Sequence, residues 1–193
     1  MAKTSDKNRH PSAVEDCAEV VNESWQRRAG GPADNRQQLL PVRREFRETD
    51  YGTEAYKRTL ELRHRVLREP LGLNLWNENL SVEVNQRHFS IWSVDQKTDT
   101  LLACVVIVPL AAGCVKLRQM AVDASYQRQR LGQQLITEVE KIMLSEGARL
   151  IELHARVSAE SFYKACGYQS VGGIFTEVGI KHRCMTKIIN PAS

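Results

Sequence analysis

Two short stretches of this 193-residue chain carry residue types that can bind an anion or move a proton. The first, residues 115–135, reads VKLRQMAVDASYQRQRLGQQL. The apolar run from Leu117 to Val122 predicts a strand, and later apolar residues recur at helical spacing: Leu131, Leu135, Val139 and Ile142. A helix that follows a tight loop presents unpaired N–H groups and the positive end of its dipole. With Arg128 and Arg130 as charged donors, the loop is predicted to bind a phosphate.

The glycine pattern narrows the kind of phosphate loop. No Gly-x-x-x-x-Gly-Lys-Ser/Thr motif is present, and a lone Gly132 does not make a dinucleotide fingerprint. The segment Gln127 to Gly132 resembles motif A of the GNAT acetyltransferase superfamily, Gln/Arg-x-x-Gly-x-Gly/Ala. Arg130 replaces the first glycine, so we expect it to adopt an ordinary negative φ or else to loosen the phosphate cradle.

The second stretch, residues 153–168, reads LHARVSAESFYKACGY and resembles GNAT motif B. The pattern continues from Phe175 to Met185 in a form similar to a bacterial branch of small, largely uncharacterised GNAT acetyltransferases. Together the two resemblances cover residues from about 50 to 190. Arg156 stands where many members of the superfamily carry Asn.

The resemblance implies an α/β GNAT fold, with a mixed, mostly antiparallel twisted sheet of about six to seven strands flanked by about four helices. It implies an N-acetyltransferase that moves an acetyl group from acetyl-CoA to a primary amine by direct attack in a ternary complex, without a metal. The strands before and after the long helix are then expected to splay apart. The implied cofactor-binding residues pair with pantetheine or hold the diphosphate: Met120, Ala121, Val122, Gln127, Arg128, Gln129, Arg130, Leu131, Gly132 and Gln133.

The resemblance also suggests catalytic residues. Tyr163 matches the tyrosine that often protonates the departing thiolate, and its ordinary pKa of about 10 keeps it protonated at neutral pH. Glu152 and His154 are candidate general bases that share one face of a strand, and Glu177 and His182 are further candidates. A packed tyrosine, a structural histidine, and a water chain that replaces the base remain alternatives.

The remaining pattern predicts the elements that position these groups. Eight apolar residues, LLACVVIV at 101–108, predict a strand buried on both faces. A strand that follows the long helix is expected to lie parallel to the one before it. The predicted order is strand 42–48 at an edge, helix 53–67, a short helix or loop 71–80, strands 88–94, 101–108 and 115–122, helix 132–145, strand 150–157, a short helix after Ser158, and strands 168–170 and 182–189 joined by a loop.

Composition sets the outer bounds. We predict one acetyltransferase domain, residues 42–193, after a partly disordered extension, residues 1–41, with an amphipathic helix at about 13–28. Five scattered cysteines without a C-x-x-C pair favour reduced thiols over a zinc site or disulfide framework. A polar N-terminus and the lack of a membrane-length apolar run favour a cytoplasmic protein.

Several alternatives stay open. The domain is either an enzyme or a non-catalytic acyl-CoA sensor or scaffold. The net charge of +4 suits an anionic small ligand, and interleaved acidic residues argue against nucleic-acid binding. Cys166 lies near one helical turn from Tyr163, which leaves a covalent relay as an alternative to core packing. An exposed edge strand would permit a homodimer.

Overall fold

The computed structural model describes residues 43–95, 98–111 and 113–190. The predicted helix at about 13–28 lies outside these ranges. The strands and helices are β1 (Arg43–Thr49), α1 (Glu54–Arg63), β2 (Arg87–Val94), β3 (Thr100–Pro109), β4 (Cys114–Val122), α2 (Leu131–Ser145), β5 (Leu150–Arg156), α3 (Glu160–Ala165), β6 (Gln169–Glu177) and β7 (Ile180–Ile188). A π-helical turn, His64–Arg68, continues α1, and short 3₁₀ turns lead on to β2.

All seven strands form one mixed sheet in the order β1-β2-β3-β4-β5-β7-β6. Every neighbouring pair is antiparallel except β4 and β5, which are parallel as the helix between them requires. The predicted edge position of β1 is confirmed, and β6 forms the other edge. Across the described ranges, no helix has both the length and the apolar character needed to cross a membrane.

The core lies between α2 and the sheet. The predicted stripe on α2 is buried, because Leu131, Leu135 and Val139 are each no more than 1% exposed. Residues 101–107 of β3 are buried without interruption, which confirms a strand covered on both faces. Gly147, with φ of 94°, ends α2 in the left-handed conformation that its position predicted.

One predicted loop is a strand. The segment from Val171 to Glu177 was expected to be irregular, yet β6 continues through it. The pairing with β7 shifts between Val171 and Ile174, so Gly172 and Gly173 form a bulge instead of a loop. The turn itself is limited to Val178 and Gly179, which both have positive φ. The β6–β7 hairpin continues the sheet past the C-terminal end of β5 and places Glu177 beside His154 of β5.

The central break in the sheet lies between its two parallel strands. Pairing between β4 and β5 runs from Cys114↔Leu150 to Leu117↔Leu153 and stops there. Beyond that point β4 bulges at Gln119, which has φ of 51°, and its register with β3 shifts. The expected splay is therefore present, and residues after Leu117 and Leu153 face a gap between the two strands.

Candidate active site

The loop from Asp123 to the start of α2 gathers main-chain N–H groups at one point. The Asp123 side chain caps a single 3₁₀ turn by accepting from the Ser125 amide at 3.0 Å. The first main-chain bond at the base of α2 runs from the Gln134 N–H to the Arg130 carbonyl at 3.0 Å. Within the described ranges, the amides of residues 128–133 have no protein acceptor. These donors and the helix dipole suit a diphosphate.

Two arginines in this loop adopt the left-handed conformation, with φ of 61° for Arg128 and 60° for Arg130. Gln129, which lies between them, does not have a positive φ. The expectation of a negative φ at Arg130 was wrong. Arg130 instead has the left-handed φ that glycine adopts readily, at a strain of about 1 kcal/mol or more for an arginine. Binding of a phosphate by this loop stays a prediction.

Four of the other predicted cofactor-binding residues have packing or bracing roles. Ala121 and Leu131 are 2% and 1% exposed, so their side chains belong to the core. The Gln127 side chain donates to the Val122 carbonyl at 3.2 Å, and Gln129 accepts from Arg44 at 2.7 Å. The side chains of these two glutamines therefore stabilise the loop through contacts with β1 and β4.

Gly132 has a packing role besides its place in the motif. A Cβ on this residue would lie 2.8 Å from Met120 Cε and 3.0 Å from Phe162 Cζ. Any side chain here would have to displace those groups. Because Gly132 has no side chain, the start of α2 packs closely against both β4 and α3. The predicted phosphate-binding loop, residues 123–133 (the phosphate loop), is therefore packed against the end of β4.

A cavity of about 470 Å³ opens where β4 and β5 part. Its wall combines the turn after α1, the two parted strands, α3 and the β6–β7 hairpin. Among the predicted residues, Met120, His154, Tyr163, Glu177 and His182 line it. The phosphate loop does not line it, so the two parts of the site are adjacent but distinct. A volume of this size accommodates a small acceptor together with the end of a thioester.

Tyr163 lies on α3 with its ring 9% exposed. Its hydroxyl contacts Met120 Sδ at 3.9 Å, at the bulged end of β4. Burial, with a smaller effect of Cys166, raises the pKa of Tyr163 above its ordinary value. The hydroxyl is therefore protonated at neutral pH, and a protonated hydroxyl beside the end of β4 can act as a proton donor.

His154 lies at the centre of a polar chain. Its Nδ1 lies 2.6 Å from Glu177 Oε2, and its Nε2 lies 3.0 Å from Lys116 Nζ. Burial would raise the pKa of Glu177, but the hydrogen bond and charge of His154, with help from His182 and Lys116, lower it. A histidine that donates from Nδ1 to this carboxylate accepts at Nε2, and in this structure the Lys116 ammonium is the donor to that nitrogen.

Glu152 shares the strand face of His154, as predicted, but it does not line the cavity. Its carboxylate lies 3.5 Å from Lys116 Nζ and 3.7 Å from His154 Nε2. Ligand atoms of Glu152, His154 and Cys184 lie within 4.8 Å of one another. The Lys116 ammonium already supplies a cation beside that cluster, so Glu152 is placed as a charge partner of Lys116.

A buried polar network supports the other side of the gap. Arg63 on α1 is 1% exposed and donates to both oxygens of Glu83, at 2.9 and 2.5 Å. Tyr56 donates to Glu83 at 3.0 Å. Arg63 also donates to the side chain of Gln119 in the β4 bulge. This network fixes α1 to the bulge and hence the position of the cavity wall.

Sequence reasoning missed the basic residues of the cavity. Arg68, Lys116 and Arg118 line it, but each looks like an ordinary solvent-facing residue in the sequence. The alternation of Lys116 and Arg118 with buried Val115 and Leu117 placed the two basic residues on one face. Nothing local in the sequence showed that this face borders a cavity. The described cysteines, including Cys166, are free thiols, and none of them lines the cavity.

Comparisons with known proteins agree with this geometry. The profile of the Acetyltransferase (GNAT) family matches residues 53–168. YyaT of Bacillus subtilis is 30% identical over 104 residues, which is 54% of this chain and 67% of that protein. A second B. subtilis protein is 32% identical over 72 residues, and that match spans only about half of its length, 49%.

Solved structures show the same fold at low identity. An acyl-CoA N-acyltransferase from Pseudomonas aeruginosa aligns with a TM-score of 0.63 and 18% identity, covering 75% of this chain and 99% of that one. An aminoglycoside 6'-N-acetyltransferase complexed with coenzyme A aligns with a TM-score of 0.61 and 18% identity, covering 77% and 99%. The family profile spans more than half of the chain, and the parted strands and loop fit it: this protein belongs to the GNAT family of acetyltransferases.

Proposed function

We propose that this protein transfers an acetyl group from acetyl-CoA to a primary amine by direct attack in a ternary complex. The observation that carries the proposal is the end of β4–β5 pairing at Leu117↔Leu153, directly beside the cavity that contains Tyr163 and His154. A thioester arm laid in the gap from the phosphate loop would end among these side chains. Family membership supports the acyltransferase class.

The donor is held by main-chain groups. The diphosphate binds the free amides of residues 128–133, with Arg128 as a charged neighbour. The pantetheine amides pair with main-chain groups of residues 120–122 that face the gap. A main-chain N–H at the β4 bulge polarises the thioester carbonyl and stabilises the oxyanion as it forms.

The transfer then requires two proton movements. The amine nitrogen attacks the carbonyl carbon, a C–N bond forms, and the C–S bond breaks. Tyr163 donates its proton to the leaving thiolate and is reprotonated from solvent. The attacking nitrogen loses a proton to His154 Nε2, directly or through water, after the Lys116 ammonium has moved away from that nitrogen, while Glu177 stabilises the imidazolium. Orientation of the two bound reactants supplies most of the acceleration.

A turnover assay tests the proposal and separates it from a CoA sensor. Purified protein is supplied with acetyl-CoA and a panel of amines, and free thiol and acetylated product are both measured. We expect thiol release that depends on the amine and equals product formed. A protein that binds CoA in calorimetry but releases no thiol with any amine would be a sensor. A stable acetyl-enzyme seen by intact mass would overturn direct attack.

A further inference from the structure

The cavity wall is rich in positive charge. It carries four permanent cations and one carboxylate besides two histidines: Arg68, Lys116, Arg118, Arg156, Glu177, His154 and His182. An excess of cations around a concave site selects ligands by charge. The cations that have no carboxylate partner in the protein indicate which charged group a ligand would carry.

Two of the cations are already neutralised. Arg68 forms a two-point ion pair with Glu78, whose second contact is 3.2 Å. Lys116 lies 3.5 Å from Glu152. The single lining carboxylate, Glu177, is occupied by His154 at 2.6 Å. These pairs leave the remaining two arginines without a carboxylate.

Arg118 and Arg156 are both half-buried. In the part of the chain that the structure describes, the Arg118 side chain has no hydrogen-bond or ion-pair partner, although its main chain lies in the β3–β4 ladder. Arg156 donates from Nη2 to the uncharged Leu67 carbonyl at 2.9 Å. Burial and the nearby charge of Arg68 lower the pKa of Arg156, which shows that its surroundings oppose the charge. A guanidinium has five donors, so one carbonyl leaves most of them unused.

The two arginines flank the gap between the parted strands. Arg118 follows Leu117, the last residue of β4 paired with β5, and Arg156 ends β5 on the strand face of His154. The phosphates of CoA cannot account for them, because the phosphate loop does not line the cavity. A pantetheine arm is uncharged. The anion that matches these arginines must therefore come with the acceptor.

We propose that the acceptor amine also carries an anionic group, a carboxylate or a phosphate, which Arg118 and Arg156 bind while the amine faces His154 and Tyr163. This inference rests on the proposed acetyl transfer at the same site. A guanidinium recognises either group through paired N–H donors. The same charge disfavours polycationic acceptors, although an aminoglycoside acetyltransferase shares the fold.

Matched acceptors provide the test. Phenethylamine is compared with phenylalanine, and ethanolamine with phosphoethanolamine and β-alanine, by thiol release. We expect kcat/KM for an anionic amine to exceed that of its neutral counterpart by about tenfold or more. The carboxylate and phosphate arms show which anion is used. Equal or faster turnover of the neutral amines, or of an aminoglycoside, would overturn the proposal.

Variants identify the residues responsible. Arg118→Gln and Arg156→Gln are expected to raise KM about tenfold for the anionic acceptor and to leave the neutral acceptor and CoA affinity unchanged. Arg43→Gln, at the far edge of the sheet, is the control and should change neither. A loss that is equal for both acceptors would contradict a role in anion binding.

A binding measurement distinguishes failure of the proposed anion site from failure of the proposed acetyl transfer. Phosphoethanolamine and phenylalanine are titrated into the CoA-loaded protein by calorimetry, with and without each arginine substitution. Absence of turnover with retained binding that requires Arg118 and Arg156 would contradict acetyl transfer but support the anion site. If no anionic amine is turned over or bound, the anion site is wrong, even when neutral amines are acetylated.

Discussion

The loop at residues 123–133 and the cavity between β4 and β5 are built in opposite ways. The loop is one continuous segment, residues 123–133, and it offers main-chain amides whose identity hardly depends on side chains. The cavity is assembled from five separated segments, and it offers side chains whose positions depend on long-range packing. A loop of main-chain donors can be predicted from local sequence, whereas a cavity lined by side chains depends on contacts between distant segments.

The largest expected effect tests the dependence of the cavity on distant packing. Arg63→Leu should lower the free energy of unfolding by about 3–5 kcal/mol, because Glu83 is left as a buried, unpaired charge. Urea denaturation measures the change. The double variant Arg63→Leu/Glu83→Leu should recover most of the loss. If the single variant is as stable as the wild type, the cavity wall does not depend on this network.

The next effect concerns chemistry in the cavity. Tyr163→Phe should lower kcat about 100-fold, because the leaving thiolate loses its proton donor. The affinity for CoA should stay within about twofold, because the phosphate loop is untouched. Steady-state thiol release and calorimetry supply the two numbers. An unchanged kcat would remove Tyr163 from the role of acid and reduce it to a packed tyrosine.

Gly132→Ala tests a position where the loop packs against Met120, which lines the cavity. The new methyl group would press on Met120 and Phe162, so we expect about 1–3 kcal/mol of destabilisation from overpacking. We also expect weaker CoA binding and slower turnover together, since the loop and the end of β4 move as one. Loss of CoA affinity without a change in kcat would show that the regions act independently.

The smallest effect tests the loop alone. Arg130→Gly should raise the free energy of unfolding by about 1 kcal/mol, because glycine relieves the strain at φ of 60°. Arg130→Ala is the matched control: it removes the guanidinium but keeps the strain, so stability should be close to the wild type. If both variants lose CoA affinity equally, the guanidinium contacts the ligand. If only the Gly variant loses affinity, a fixed backbone conformation at this position is decisive.

The same contrast explains what could be predicted from the sequence. Periodicity located β3, β4, α2 and β5, because their apolar residues face a core on one or both sides. It failed at β6, whose residues are mostly exposed and whose glycines look like a loop. The resemblance to motif B placed Tyr163 and His154, which the structure brings to one cavity. Their roles stay predictions.

The remainder of the site depends on tertiary contacts. Glu177 reaches His154 only because the β6–β7 hairpin folds over the end of β5. Arg63 and Glu83 meet across 20 residues, and no spacing rule pairs them. Arg130 was misjudged because a glycine motif suggests that only glycine adopts positive φ, whereas the surrounding loop holds an arginine there. Single-sequence patterns do not contain these contacts.

The short ladder between β4 and β5 also has a mechanical consequence. Among the described strands, four register pairs, Cys114↔Leu150 to Leu117↔Leu153, join the β1–β4 part of the sheet to the β5–β7 part, and the Gly113 carbonyl accepts from Arg149 beside them at 2.8 Å. The two parts of the sheet are therefore hydrogen-bonded over a short length and separate beyond it. CoA bound in the gap would form hydrogen bonds with the unpaired edge of β4. Amide hydrogen exchange at residues 118–122 should therefore slow when CoA is present.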